Sequence, residues 1–141
     1  MRFDGVNCSL AIRRPAPSVV VIVIEGTDTG ELGEAPFREL EADVAGPGRI
    51  ELFVDAHAAR AASMHVSKDW ALWLARHRDH MQHISMLTAS RFVQLTADFV
   101  RNFAELGALM RIYTDPASFE GALSNAVGNA LATRDARGPA A

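Results

Sequence analysis

The chain is poor in several things, and each shortage excludes a class of protein. It has a single cysteine, Cys8, in 141 residues. One cysteine can neither close an intramolecular disulfide nor anchor a zinc ribbon. It has a single lysine, Lys68, against thirteen arginines, which points to a GC-rich, bacterial genome rather than to a binding function. Net charge is −3, so no basic field surrounds the molecule to hold nucleic acid. Arg13, Arg14, Arg76, Arg78, Arg91, Arg101 and Arg111 alternate with acids instead of clustering with aromatics, and no nucleic-acid partner is expected. Long apolar runs are missing too. The longest aliphatic stretch is Val19 to Ile24, far short of the roughly 20 residues of a membrane helix, so no membrane insertion is expected. The N-terminus shows no signal-peptide core, which makes a cytoplasmic location the expectation. The glycines of Gly26–Gly30 and Gly46–Gly48 match neither a phosphate-binding loop nor a dinucleotide fingerprint.

What remains is ordinary for a folded protein: 49% hydrophobic and 22% charged residues. Residues 1–133 read as one domain and 134–141 as a flexible polar tail. Val6, Cys8, Leu10 and Ile12 alternate with polar residues, the period of a half-buried strand, and Pro15 and Pro17 are expected to end it. Val19–Ile24 reads as a central strand, paired antiparallel with the first. A helix is predicted over Ala35–Ala45 on a Phe37, Leu40, Val44 stripe, followed by a strand over Ile50–Asp55. Ala56–His65 is alanine-rich and open between loop, short helix and helical lead-in. Ser67 is the expected cap of a second helix, with Val66, Trp70, Trp73, Leu74, His77 and Met81 along one face. A short strand at Ile84–Leu87 precedes a helix capped by Ser90 and running to Leu106, whose expected core face is Phe92, Leu95, Phe99, Phe103 and Leu106. Gly107 is expected to end it. A strand at Leu109–Tyr113 and a last helix begun by Asp115–Pro116, burying Phe119, Leu123, Ala126, Val127 and Ala130, complete the chain.

Strands that alternate with helices after an opening hairpin imply an α/β fold with a mostly parallel sheet. The order, together with VVVIVIEG (Val19–Gly26), IELFVDA (Ile50–Ala56), KDWALWLARHRDHM, HISMLTASRFVQL (His83–Leu95) and MRIYTDPASFEGAL (Met110–Leu123), resembles the STAS domain in its SpoIIAA-like, STAS/SEC14 branch. The resemblance implies a single STAS-like α/β domain: a five-stranded mostly parallel sheet with an N-terminal antiparallel hairpin and four helices. In the anti-anti-sigma branch, a serine ahead of the second helix is the phosphorylation switch. Counted from Asp55, that position holds Met64, Ser63 stands one place early, and the Ser/Gly pattern that should follow is absent, which argues against such a switch.

The polar residues offer no complete catalytic constellation. His77, His80 and His83 repeat every three residues, and two of them could share a metal on a helix. Zinc would need further ligands, Asp79 and Asp69 are near in sequence alone, and the preferred reading is a solvated helix end with no metal. The strand ends would gather Asp55, His57, Thr88, Ser90, Thr114 and Asp115. Thr88–Phe92 lacks the glycines of a nucleophile elbow, and Ser90 and Asp115 are already helix caps. Cys8 reads as a small buried hydrophobe. Trp70 and Trp73 are open between core, ligand pocket and partner surface; Leu72, Ala75 and Asp79 mark the competing face.

The expectation is therefore a non-enzymatic regulatory or scaffold module without cofactor. It would bind a protein partner, or a second copy of itself, through the second helix and the loop before it. Asp55, His57, Ser63, Trp70, Trp73 and His77 are the candidate residues, the loop-and-helix surface being what the resemblance implies. The alternative is a carrier or sensor of a small apolar ligand, held between the second helix and the sheet beside Ala56, Ala58, Ala59, Ala61 and Ala62.

Overall fold

The aliphatic run at Val19–Ile24 lies inside a sheet of six strands whose spatial order is their order in the chain. The computed structural model describes residues 1–136. The strands are β1 (Arg2–Asp4), β2 (Cys8–Ala16), β3 (Val19–Asp28), β4 (Ile50–Ala62), β5 (Met81–Thr88) and β6 (Met110–Tyr113). β1, β2 and β3 pair antiparallel, and β3 to β6 pair parallel. Each parallel step moves one place in the same direction. Right-handed crossovers then put α1 (Ala35–Ala45), α2 (Met64–Arg76) and α3 (Arg91–Phe103) on one face. α4 (Pro116–Ala136) follows the last strand, has no crossover to make, and covers the other face. Val20 and Ile22 accordingly enter the core under α1–α3, while Val19 and Val21 pack with Phe53, Leu87 and Phe119 under α4. A strand covered on both faces has no reason to alternate, which is why this run is aliphatic throughout.

Six strands stand where five are expected. The extra one, β1, is three residues long and pairs Phe3 with Leu10, too short to show a period. Val6 belongs to the turn between β1 and β2 and is exposed rather than on the strand's apolar face. β2 also runs past Pro15: a register shift between Arg13 and Ala16 absorbs the residue that cannot donate to the ladder. The turn that follows holds Ser18 at φ 63°. Arg14, at the bulge, forks onto Asp43 of α1 at 2.8 and 2.7 Å and pins the hairpin to the helix layer.

The undecided alanine stretch is strand. β4 continues to Ala62, paired with Glu25–Asp28 through two further register shifts. Alanine has little strand propensity, and it is the pairing with β3 that decides the conformation. Gly26, at φ 83°, allows the close approach that this end of the sheet requires, since a Cβ there would collide with the Asn7 carbonyl.

The second helix starts earlier than expected. Ser63, not Ser67, is its cap: the Ser63 hydroxyl accepts from the Val66 N–H at 3.2 Å, and buried Ser67 donates to the Ser63 carbonyl at 2.9 Å. α2 ends at Arg76, so Met81 is not on its face but opens β5. α3 ends at Phe103. Its Schellman closure uses Glu105 at φ 53° rather than Gly107: Leu106 N–H bonds the Arg101 carbonyl at 2.9 Å and Glu105 N–H the Asn102 carbonyl at 3.2 Å. The expected core face of α3 is also corrected. Val93, Ala97, Val100 and Ala104 are buried, whereas Phe92 is 71% exposed, Leu95 60% and Phe103 45%; of the expected face Leu106 is buried and Phe99 half-buried. α4 buries Phe119 and half-buries Leu123, Ala126, Val127 and Ala130 as expected, and extends through 134–136; residues 137–141 of the expected tail lie outside the described residues.

Candidate functional site

The six candidate residues fall into three places. The first is the seam between α1 and α2. Phe37 of α1 stacks on Trp70 with ring centroids 4.6 Å apart, Trp70 meets Trp73 edge-on at 6.3 Å, and Trp73 meets His77 at 4.7 Å. Trp73 is only 4% exposed and its indole N–H donates to Glu41 Oε1 at 3.1 Å. His77 Nε2 lies 3.4 Å from that same oxygen but off the line of a hydrogen bond, and so has no hydrogen-bond partner among the described residues. Trp73 thus belongs to the core, while half-buried Trp70 keeps part of its ring at the surface.

The second place is the start of α2, where the Ser63 hydroxyl is occupied by its capping bond. The third is the middle of β4. Asp55 shares the parity of Phe53 and therefore the α4 side of the sheet, opposite the tryptophans. Its carboxylate accepts from the backbone N–H of His57 at 3.1 Å, and the His57 side chain is exposed. Asp55 and Ser63 stand eight residues apart on extended chain, roughly 25 Å. The loop that the sequence suggested here is instead the long end of β4, and it does not fold these residues onto one another.

Two of the strand-end side chains, Ser90 and Asp115, are engaged in capping. Ser90 accepts from Phe92 N–H at 3.2 Å and donates to the Arg60 carbonyl at 3.3 Å. Asp115 accepts from Ala117 and Ser118 N–H at 3.3 and 3.2 Å and from the Ser118 hydroxyl at 2.7 Å, bonds that lower its carboxyl below the ordinary range. His83 Nδ1 is 2.9 Å from Glu51, and the His77 and His80 rings are 6.3 Å apart. Among the described residues, no three metal-ligating side chains converge. Burial, helped by Asp28 and Glu31, raises the Cys8 thiol to about 11.

One surface runs against the expectation from sequence: on the outer stripe of α3, Phe92, Leu95 and Phe103 face solvent, with Leu72 of α2 48% exposed. Val93, Ala97, Val100 and Ala104 form a second helical stripe, and the one made of smaller side chains is the one buried. Between α2, α3 and the sheet, at the place named for the carrier alternative, lies a cleft of about 70 Å³, almost wholly apolar and lined by Ala59, Ala61, Ala62, Trp70, Leu74 and Val93. None of the described helices is long and apolar enough to cross a membrane.

No family model and no curated protein matches the sequence. Two solved structures do match the fold. One is described as an uncharacterized protein of the DUF3478 family with a SpoIIAA-like fold, from Shewanella loihica PV-4. It superposes with a TM-score of 0.61 at 16% identity over 83% of this chain and 94% of the other. The second, described as an anti-sigma factor antagonist from Mycobacterium paratuberculosis, gives 0.54 at 14% identity with the same coverage. Neither description names an enzymatic activity. The chain has the SpoIIAA-like fold that its element order suggested.

Proposed function

We propose that this SpoIIAA-like fold serves as a non-catalytic regulatory or scaffold module that binds another protein through α2 and the strand leading into it. One observation carries the reading. Ser90 and Asp115 at the strand ends are engaged in capping backbone, while Met64 and Leu72 of α2 stay 64% and 48% exposed. The anti-sigma factor antagonist among the structural neighbours works in the same direction, because its description is of a protein that acts on another protein's action. Ser63 and Trp70 form the centre of the proposed surface. Exposed His57, whose backbone N–H is held by Asp55, forms its outlying part. Trp73 and His77 act from beneath, by fixing α2 against α1.

The carrier reading has the apolar cleft in its favour. At about 70 Å³ it is smaller than the ~150 Å³ cavity that accepts benzene, so a lipid would require α2 and α3 to separate. Native mass spectrometry of protein purified gently from its own host, beside a denatured control, tests both. A co-purifying protein whose affinity falls in Trp70→Ala, with the fold checked by circular dichroism, is the expected result. A stoichiometric small-molecule adduct lost on denaturation would replace the proposal by the carrier. Partner affinity unchanged in both Trp70→Ala and His57→Ala would overturn the surface.

A further inference from the structure

The outer face of α3 has an electrostatic pattern that makes no sense in one copy. Arg91 opens the helix and Glu105 follows its end, each exposed. A helix carries partial positive charge at its start and partial negative charge at its end, so both residues oppose the dipole next to which they stand. No acidic side chain pairs with Arg91 among the described residues, and the nearest cation to Glu105 is Arg78, at a loose 3.8 Å. Between them runs the apolar stripe of Phe92, Leu95, Phe99 and Phe103, at the i, i+3, i+7, i+11 spacing of one helical face. Phe99 and Phe103 already touch at 5.5 Å between centroids. Helix α3 therefore offers a second helix a seam without supplying the helix.

We propose that the occupant is α3 of a second copy of this chain, laid antiparallel across a twofold axis. The axis crosses the seam between Leu95 and Phe99. One antiparallel alignment then brings Phe92 beside Phe103 of the second copy, Leu95 beside Phe99, and Arg91 beside Glu105, each to within about one residue's rise of 1.5 Å. Arg91 and Glu105 stand about 21 Å apart along the helix, and antiparallel pairing brings each to the other's end. There both charges become favourable: the arginine sits at the second helix's negative end and the glutamate at its positive end. A C₂ contact is self-complementary, and this surface meets that requirement in size and in charge together. The surface lies on α3, not α2, so the proposal stands independently of the one for α2. A contact made by one helix per subunit is small, which places it among weak dimers.

Sedimentation velocity on the full chain across micromolar concentrations tests it. The expected result is a concentration-dependent monomer–dimer equilibrium. Arg91→Glu and Glu105→Arg should each weaken it by about tenfold, because each sets like charges against one another at both ends of the seam. Each substitution agrees with its own helix dipole, so thermal melts should show intact folding. Mixing the two single variants should restore association. One end of the mixed seam then keeps the original arginine and glutamate, and the other end holds the same two charges exchanged. The double variant R91E/E105R should dimerise alone. Phe92→Glu should abolish association. A wild-type chain that stays monomeric throughout overturns the proposal, as does a dimer that ignores Phe92→Glu or a mixture that fails to regain affinity. A monomer whose α3 instead binds anionic vesicles would also overturn it, in favour of a membrane surface.

Discussion

Helices α2 and α3 are the same length, lie side by side on the same face of the sheet, and each carries aromatics at helical spacing. They use those aromatics in opposite ways. α2 turns Trp73 into the core and shields Trp70 against Phe37 of α1. α3 buries Val93, Ala97, Val100 and Ala104 and leaves Phe92, Leu95 and Phe103 outside. The difference lies in what each helix packs on. α2 has α1 beside it, with a phenylalanine at the right height and Glu41 to accept the indole N–H. α3 lies over the alanine-rich end of β4, where Val93 meets Ala56 and Ala59, and so close a seat accepts small side chains and rejects phenylalanine. Apolar size alone therefore ranks the two faces of α3 in the wrong order.

The largest test of the contrast removes the α2 ring. Trp73→Ala should cost about 3–5 kcal/mol, since it empties a fully packed site that no neighbouring side chain can refill. Urea unfolding followed by circular dichroism measures it. A loss below about 1 kcal/mol would show that α2 is not seated on its tryptophan. Next comes the α3 seat itself. Ala104→Leu adds volume at a buried position that does not border the apolar cleft, at a cost of about 1–3 kcal/mol. If Ala104→Leu were neutral, the close approach of α3 would not explain why its phenylalanines face out.

This same pair of helices shows where sequence is informative. The alternation of strand and helix, the caps at Ser90 and Asp115, and the stripe of α1 were all legible, because each is set by neighbours within a few residues. The course of β4 past Asp55 was not, because alanines become strand there through pairing with Glu25–Asp28, fixed far away in sequence. The candidate site suffered from the same cause. Asp55, His57 and Ser63 look adjacent along a loop, and once that loop is strand they spread along roughly 25 Å of chain. The choice between two stripes on α3 depends on how near the sheet comes, which no local pattern encodes.

Smaller effects probe the α1–α2 seam. Glu41→Ala removes the acceptor of the Trp73 N–H and should cost about 1 kcal/mol. His77→Phe goes the other way. It keeps a ring against Trp73 and removes a buried nitrogen that has no hydrogen-bond partner among the described residues, so stability should hold or rise by up to about 1 kcal/mol in thermal or urea unfolding. A clear loss from His77→Phe would mean that Nε2 and Glu41 attract one another despite their poor alignment at 3.4 Å.

The smallest effect is the most telling for α3. A phenylalanine that is 71% exposed has few contacts to lose, so Phe92→Ser should change unfolding free energy by no more than about 0.5 kcal/mol. Serine has a helix propensity close to that of phenylalanine, so the helix itself is not perturbed. Measured at low concentration, where any association is absent, a near-zero result would mean that folding does not account for this side chain. An exposed aromatic that contributes nothing to folding, on a stripe with Leu95, Phe99 and Phe103, has its use outside the monomer. A loss of about 2 kcal/mol would instead make Phe92 part of the core and return the face of α3 to the assignment that apolar size suggests.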